Sequence, residues 1–203
     1  KLLGNNEYRW TQKQAADKVY ELDVERPSLQ QLGDLLHLDP TIREFVDLKS
    51  ALVLAILDRR LIKASSSSGI TRIINRVFLD VKTGKLINGE LSTNDFMRTC
   101  EKLGHNKLDS FFKQWVYHAG CPIFDVKQRF NKKKLVVEMT ITQRQVERLT
   151  KPEFEPSNFM REIKEYVGEV WAPEVQTVFT GPMTVRIHEA DGTPYEHIID
   201  IKE

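Results

Sequence analysis

Between Asn106 and Thr142 the hydrophobic period of this chain changes from that of a helix to that of a strand, and no single regular element can accommodate both. From Leu108 the apolar residues are Leu108, Phe111, Phe112, Trp115 and Val116, the spacing of a helix with one buried face. Asn106 is the expected cap, with Asp109 placing negative charge in the first turn, where the helix dipole favours it. Gly120 suits the left-handed position that closes a helix, and Pro122 forbids its continuation. Beyond Pro122 the period is two. Phe124, Val126, Gln128 and Phe130 share one face and Asp125, Lys127 and Arg129 the other, and Leu135, Val137, Met139 and Ile141 repeat the alternation after a polar turn at Asn131 to Lys134. The pattern predicts a β-hairpin directly after a helix, with a domain border between them.

Around this border the chain is helical on one side and β-rich on the other, an α+β organisation with residues 1–120 as a helical region and 121–203 as a small antiparallel β-sandwich. Upstream, helices are expected over Tyr8 to Leu22 (Trp10, Ala15, Val19 and Leu22 inward), Ser28 to Leu38, Leu48 to Leu61, Ile70 to Phe78 (Ile70, Ile73, Ile74, Val77 and Phe78 its apolar face) and Asn94 to Leu103. Leu48 to Leu61 is apolar on more than one face and should be central. Ser92 with Asp95 forms a capping-box-like start to the next-to-last helix, and Gly104 is its expected stop. Ala64 to Gly69 (ASSSSG) reads as a flexible connector. Downstream, Arg144 to Phe179 interrupts the β pattern with one amphipathic stripe, Phe159, Met160, Ile163, Tyr166 and Val167, predicting a helical insertion around 157–167. Met183, Val185 and Ile187, then Tyr195 to Ile201, form a second hairpin around a turn at Asp191 and Gly192.

Charge excludes little and points nowhere strongly. Residues 1–121 carry 18 Lys and Arg against 15 Asp and Glu, the remainder 12 against 14, so neither half has the basic surplus of a typical nucleic-acid-binding domain. No segment approaches the roughly 20 apolar residues that span a bilayer, and no secretory signal precedes the first helix. Two cysteines without close spacing, Cys100 and Cys121, fit a reducing compartment. A chain that starts inside a folded region reads as a fragment of something larger.

Sequence-local catalytic motifs are absent: there is no HExxH, GxSxG, phosphate-binding loop or paired-cysteine metal spacing. Cys121 near His118 has no orienting Asn or Asp at a recognisable position, so a packed or exposed thiol is the preferred reading. The acidic run Glu21 to Pro27 (ELDVERP) lacks the glycines and oxygen count of a hard-cation loop and reads as a solvated connector. His37 has no second histidine one turn away, while His188 and His197 flank the second hairpin turn and are read as surface histidines that could face one another. Lys132, Lys133 and Lys134 make a basic tip that is either a solvated turn or a phosphate contact.

The segment FFKQWVYHAGCPIFDV, a helix running through Gly and Pro into a strand, resembles the junction between the thermolysin-like domain and the following β-sandwich of the HExxH zinc aminopeptidases. ELSTNDFMRTCEKLGHNKLDSFF is similar to the same family, and DLKSALVLAIL resembles its Y-x-K-G segment at the start of a long buried helix. NNEYRWTQKQAADKVYELDVERPSLQQLGDLLHLDP, RFNKKKLVVEMTIT and GPMTVRIHEADGTPYEHIIDI resemble in particular the aminopeptidase-like TBP-associated factors, so the resemblance covers nearly the whole chain.

That resemblance implies the helical C-terminal part of a thermolysin-like domain followed by a β-sandwich. Asp47 stands where the aminopeptidases carry the Tyr of Y-x-K-G, with Lys49 retained and Ser50 in place of Gly. A carboxylate there would repel the oxyanion that the tyrosine stabilises, so the resemblance implies a pseudoenzyme with no catalytic residue, metal or cofactor in this stretch; the zinc motif would lie before Lys1. The implied role is a nuclear, non-catalytic scaffold for other TBP-associated factors of TFIID, near core-promoter DNA at the initiator, with Lys132, Lys133 and Lys134 as nucleic-acid contacts and Phe159, Met160, Ile163, Tyr166 and Val167 as a partner-docking stripe. The alternative is the C-terminal part of an active zinc aminopeptidase. It requires Tyr two residues before Lys49, where Asp47 stands.

Overall fold

The computed structural model describes residues 4–23, 26–33, 40–65, 69–145, 175–188 and 192–202. The helices are α1 (Asn5–Leu22), α2 (Leu29–Gly33), α3 (Pro40–Ser65), α4 (Ile70–Lys82), α5 (Thr93–Gly104) and α6 (Asp109–Phe112). The strands are β1 (Pro122–Asn131), β2 (Val136–Gln145), β3 (Gly181–Ile187) and β4 (Tyr195–Ile201). The architecture is α+β, helical before Pro122 and built of antiparallel hairpins after it.

Everything helical is arranged on α3. At 26 residues it is about 39 Å long, and its two halves pack into two different clusters. Its C-terminal half presents Val53, Leu57 and Leu61 to a core shared with Ile73 of α4, Cys100 of α5, and Leu108, Phe111 and Phe112. Its N-terminal half contributes Phe45 to a second cluster with Val19 of α1 and Leu32 of α2. The two cores are thus joined along one helix. In the first, Phe112 meets Phe111 edge-on at 5.8 Å between ring centroids and Phe96 at 6.4 Å.

Local chemistry fixes the ends of several helices. The Ser92 hydroxyl accepts from the Asp95 N–H at 3.1 Å, the expected cap of α5. Its far end departs from expectation. His105, not Gly104, takes the left-handed conformation (φ 50°), while Gly104 stays helical because its missing side chain makes room for Leu61: a Cβ there would lie 2.7 Å from Leu61 Cδ2. Asn106 does not cap the next helix either. Leu108 occupies the cap position, and its N–H donates to the Glu101 carboxylate at 2.7 Å, so a side chain from the preceding helix satisfies the helix start. α6 passes into a wider π turn at Lys113–Tyr117, a geometry with no periodicity signature. Three residues expected inward point outward: Trp10 is 56% exposed, Ile74 44% and Phe78 68%. Ile73 and Val77, one position earlier, supply the inward face of α4.

β1 and β2 pair antiparallel with Phe130 opposite Val137 and Val126 opposite Ile141, the alternation read from sequence. Leu135 falls in the turn rather than on the strand. β3 and β4 form a separate two-stranded sheet with Met183 opposite Ile199. The expected insertion at 157–167, and with it Phe159, Met160, Ile163, Tyr166 and Val167, lies outside the described residues, as does His37. The chain leaves β2 at Gln145 and returns beside it: Val175 bridges to Ala119, and the Gln176 N–H donates to the Ala119 carbonyl at 3.0 Å.

Phe112→Ala removes a large ring from the centre of the larger core and should lower unfolding stability by about 3–5 kcal/mol. The check is chemical denaturation followed by circular dichroism, with an unchanged midpoint contradicting the central role of that ring.

Candidate functional site

Among the described residues, the most buried charges meet where the helical layer joins the hairpin. Asp23 ends α1, its N–H closing on the Val19 carbonyl at 2.8 Å. A carboxylate at a helix C-terminus is repelled by the dipole, so this aspartate needs a counter-charge. Lys49 of α3 supplies it: Nζ lies 2.7 Å from Asp23 Oδ2, with the side chains 3% and 1% exposed. The same ammonium donates to the Gly120 carbonyl at 3.2 Å and sits 5.1 Å from the centroid of the Phe45 ring, which Arg26 also approaches. One cation therefore binds the end of α1, the middle of α3 and the loop into β1.

Around Gly120 the backbone is tightly enclosed. Its φ of 94° is strained for any side chain, and a Cβ would come within 3.3 Å of Gln145 Oε1 and 3.4 Å of Val175 Cγ1. Glutamines stitch the returning segment 175–180 in place. Gln114, 7% exposed on the π turn, exchanges two hydrogen bonds with Thr180, receiving from its N–H at 2.8 Å and donating to its hydroxyl at 2.9 Å. Gln145 donates to the carbonyls of Gln176 and Thr177, and Gln176 Oε1 lies 2.7 Å from His118 Nδ1. Phe179 packs on Trp115 at 4.4 Å.

Cys121 belongs to this junction and not to a thiol active site. Burial, reinforced by the Asp23 charge and opposed by Lys49, pushes its thiol up to about 12, so it stays protonated and unreactive at neutral pH. His118, the other half of the thiol reading, is turned to Gln176. Cys100, in the core, is likewise raised to about 12 by burial and then by Glu101.

Asp47 is exposed, two residues and so about 200° round α3 from buried Lys49. The two residues retained from or substituted in the Y-x-K-G pattern thus face different surroundings: one is bonded into the interior and the other is in water. Among the described residues no three His, Cys, Asp or Glu side chains gather as a metal-ligand group. A groove of about 670 Å³ runs between α1, α3 and the base of β1, lined by Tyr20, Leu52, Ile56, Trp115, Cys121 and Phe124 among others.

The hairpin tip is built differently. Lys132, Lys133 and Lys134 are all exposed. Asn131 Oδ1 accepts from the N–H groups of Lys133 and Lys134 at 3.1 and 3.2 Å, while Asn131 Nδ2 donates to Glu138 at 2.7 Å. Hydrogen bonds from Asn131 and then Arg129 hold the Glu138 carboxyl below its usual range. The second hairpin does not pair its histidines: Val185 is opposite His197, and His188 lies one residue beyond the end of β3.

Sequence reasoning missed Asp23, Gln114 and Gln145. Asp23 was legible only through its awkward position at a helix C-terminus, and the glutamines carry no local signal because their partners lie 66 and 31 or more residues away.

Antiparallel hairpins following a helical layer are the α+β class that this geometry defines. Residues 119–203 match the family model described as the TAF2 Ig-like domain. Over all 203 residues the chain is 44% identical to transcription initiation factor TFIID subunit 2 of Schizosaccharomyces pombe, and all of it aligns at 38% with the subunit of the same name from Saccharomyces cerevisiae. With the Caenorhabditis elegans subunit it is 26% identical over 98% of the chain. It spans 17%, 15% and 18% of the lengths of these relatives. By sequence the chain belongs to the TAF2 family.

Lys49→Met leaves Asp23 buried without a counter-charge and should cost about 3–5 kcal/mol, much of it recovered by adding Asp23→Leu. Thermal unfolding of the single and double variants checks this, and additive losses would contradict it. Both thiols should resist iodoacetamide at pH 8 in the native protein and react on unfolding. Because their folded values lie above the ordinary 9.0, their contribution to stability is intact below pH 9 and is lost progressively as pH rises from about 9 toward 12.

Proposed function

We propose that this chain is a non-catalytic scaffold segment of a nuclear TFIID subunit, supporting transcription initiation by holding other TBP-associated factors in place near core-promoter DNA. The observation that carries the reading is the alignment of the entire chain with TFIID subunit 2 at 44% identity. Residues 1–120 would be the helical end of an aminopeptidase-like domain and 121–203 a β-sandwich, with the insertion around 157–167 offering Phe159, Met160, Ile163, Tyr166 and Val167 to a partner subunit.

The geometry gives this reading a physical basis. In a hydrolase of the resembled family, the segment at 47–50, here two turns inside α3, would serve the reacting carbonyl. Here Lys49 is committed to Asp23 and Gly120, and Asp47 offers a negative charge where an oxyanion would need a donor. What the segment does instead is fasten two layers together. Lys132, Lys133 and Lys134 are exposed on a protruding tip and are suited to phosphate.

Zinc content and aminopeptidase turnover of the full-length subunit, beside an active enzyme of the same fold, test the non-catalytic part. The expected result is no stoichiometric zinc and no turnover, with co-purification of other TFIID subunits; zinc with turnover would overturn the reading.

A further inference from the structure

The chain as a whole carries a net charge of only +1, yet the distal part of the β1–β2 ribbon is strongly polarised. Residues 126–140 hold five cations, Lys127, Arg129, Lys132, Lys133 and Lys134, against the single anion Glu138, a local +4. Every residue from 125 to 137 except Asn131 is exposed, so nothing among the described residues covers this end of the ribbon. At the end of its turn, next to the first residue of β2, stands Leu135, 77% exposed and held at φ 54°. A leucine in the left-handed region is uncommon, since its Cβ crowds the backbone, and a glycine or asparagine would relieve both the strain and the exposure. The turn beneath it is fixed by the Asn131 side chain, which accepts from two successive lysine N–H groups while donating to Glu138.

Resting on the promoter-contact reading above, we infer that the tip of this ribbon enters a groove of duplex DNA, with Lys132, Lys133 and Lys134 on the flanking phosphates and Leu135 in apolar contact with the base or sugar edges between them. A two-stranded ribbon fits the roughly 12 Å width of a major groove, and strands of 10 residues extend about 33 Å from the anchored base at Pro122 and Gln145. Lysine ammoniums are mobile point charges suited to phosphates, which supply affinity without selecting sequence. An apolar side chain presented beside such a cluster is the kind that proteins place against thymine methyls or wedge between base steps. Duplex DNA satisfies both halves of the tip at once, because it offers closely spaced anions on the rims and an apolar surface within the groove.

The two contributions separate by experiment. The full-length subunit is titrated against a fluorescein-labelled core-promoter duplex at several salt concentrations, comparing wild type, the triple variant Lys132→Gln, Lys133→Gln, Lys134→Gln, and Leu135→Gly. Glycine accepts the positive φ, so Leu135→Gly keeps the fold while removing the side chain. The triple variant should lower the slope of log affinity against log salt by about 2–3, near 0.9 for each phosphate released. Leu135→Gly should weaken binding about 5–10-fold with the slope unchanged. If the triple variant lowers the slope but Leu135→Gly binds like wild type, the apolar insertion is wrong and only phosphate contact stands. If the triple variant leaves slope and affinity unchanged, DNA contact through this tip is wrong as well, and loss of a protein partner by either variant would assign the tip to a protein surface instead.

Discussion

The rest of the molecule hangs on one buried ion pair. Asp23 and Lys49 are 26 residues apart, withdrawn from water and held at 2.7 Å. Two charges so buried contribute little net stability over well-packed apolar residues, but each makes the other obligatory. What the pair supplies is position. It sets how far α1 can slide along α3, and through the Gly120 carbonyl it fixes where the chain turns from helix into strand. An apolar contact in the same place would tolerate a shift of a turn, whereas a paired and hydrogen-bonded ammonium does not.

Seen this way, the junction gives the lysine of the segment resembling a catalytic motif a structural role of its own. A lysine that orders the interior is retained for packing whatever happens to the residue two positions earlier. Asp47 lies on the solvent side of α3, where a carboxylate is inexpensive. The cysteine beside Gly120 follows the same logic: its burial keeps it neutral, so it fills space next to a buried carboxylate without adding a second negative charge.

Period and punctuation made much of the fold legible. The helix-to-strand change at Pro122, the alternation of Phe124 to Phe130 and the Ser92 cap all depend on neighbours a few residues away, and all appear where the sequence pattern puts them. What escaped depends on distance. Trp10, Ile74 and Phe78 were assigned inward because apolar residues usually are, but which side of α1 or α4 meets α3 is settled by tertiary packing. Asn106 lost its capping role to a carboxylate from the preceding helix, and Gly104 proved to be a packing glycine because Leu61 needs its space. At the site, the exposed lysines of the tip were readable from composition alone. The Asp23–Lys49 pair was not, since ELDVERP looks like an ordinary polar connector until a buried cation is found opposite it.

The way the chain leaves and re-enters the hairpin base has a consequence for the length of chain it can carry. Gln145 and Gln176 are hydrogen-bonded to one another across the stem, and the Ala119–Val175 bridge closes the gap, so the 29 positions between 145 and 175 begin and end at one place. Closing a longer loop between fixed ends adds only about 0.6 kcal/mol for each doubling in length. The stem therefore works as a socket: its two ends are held together by their own bonds, whatever length of chain joins them.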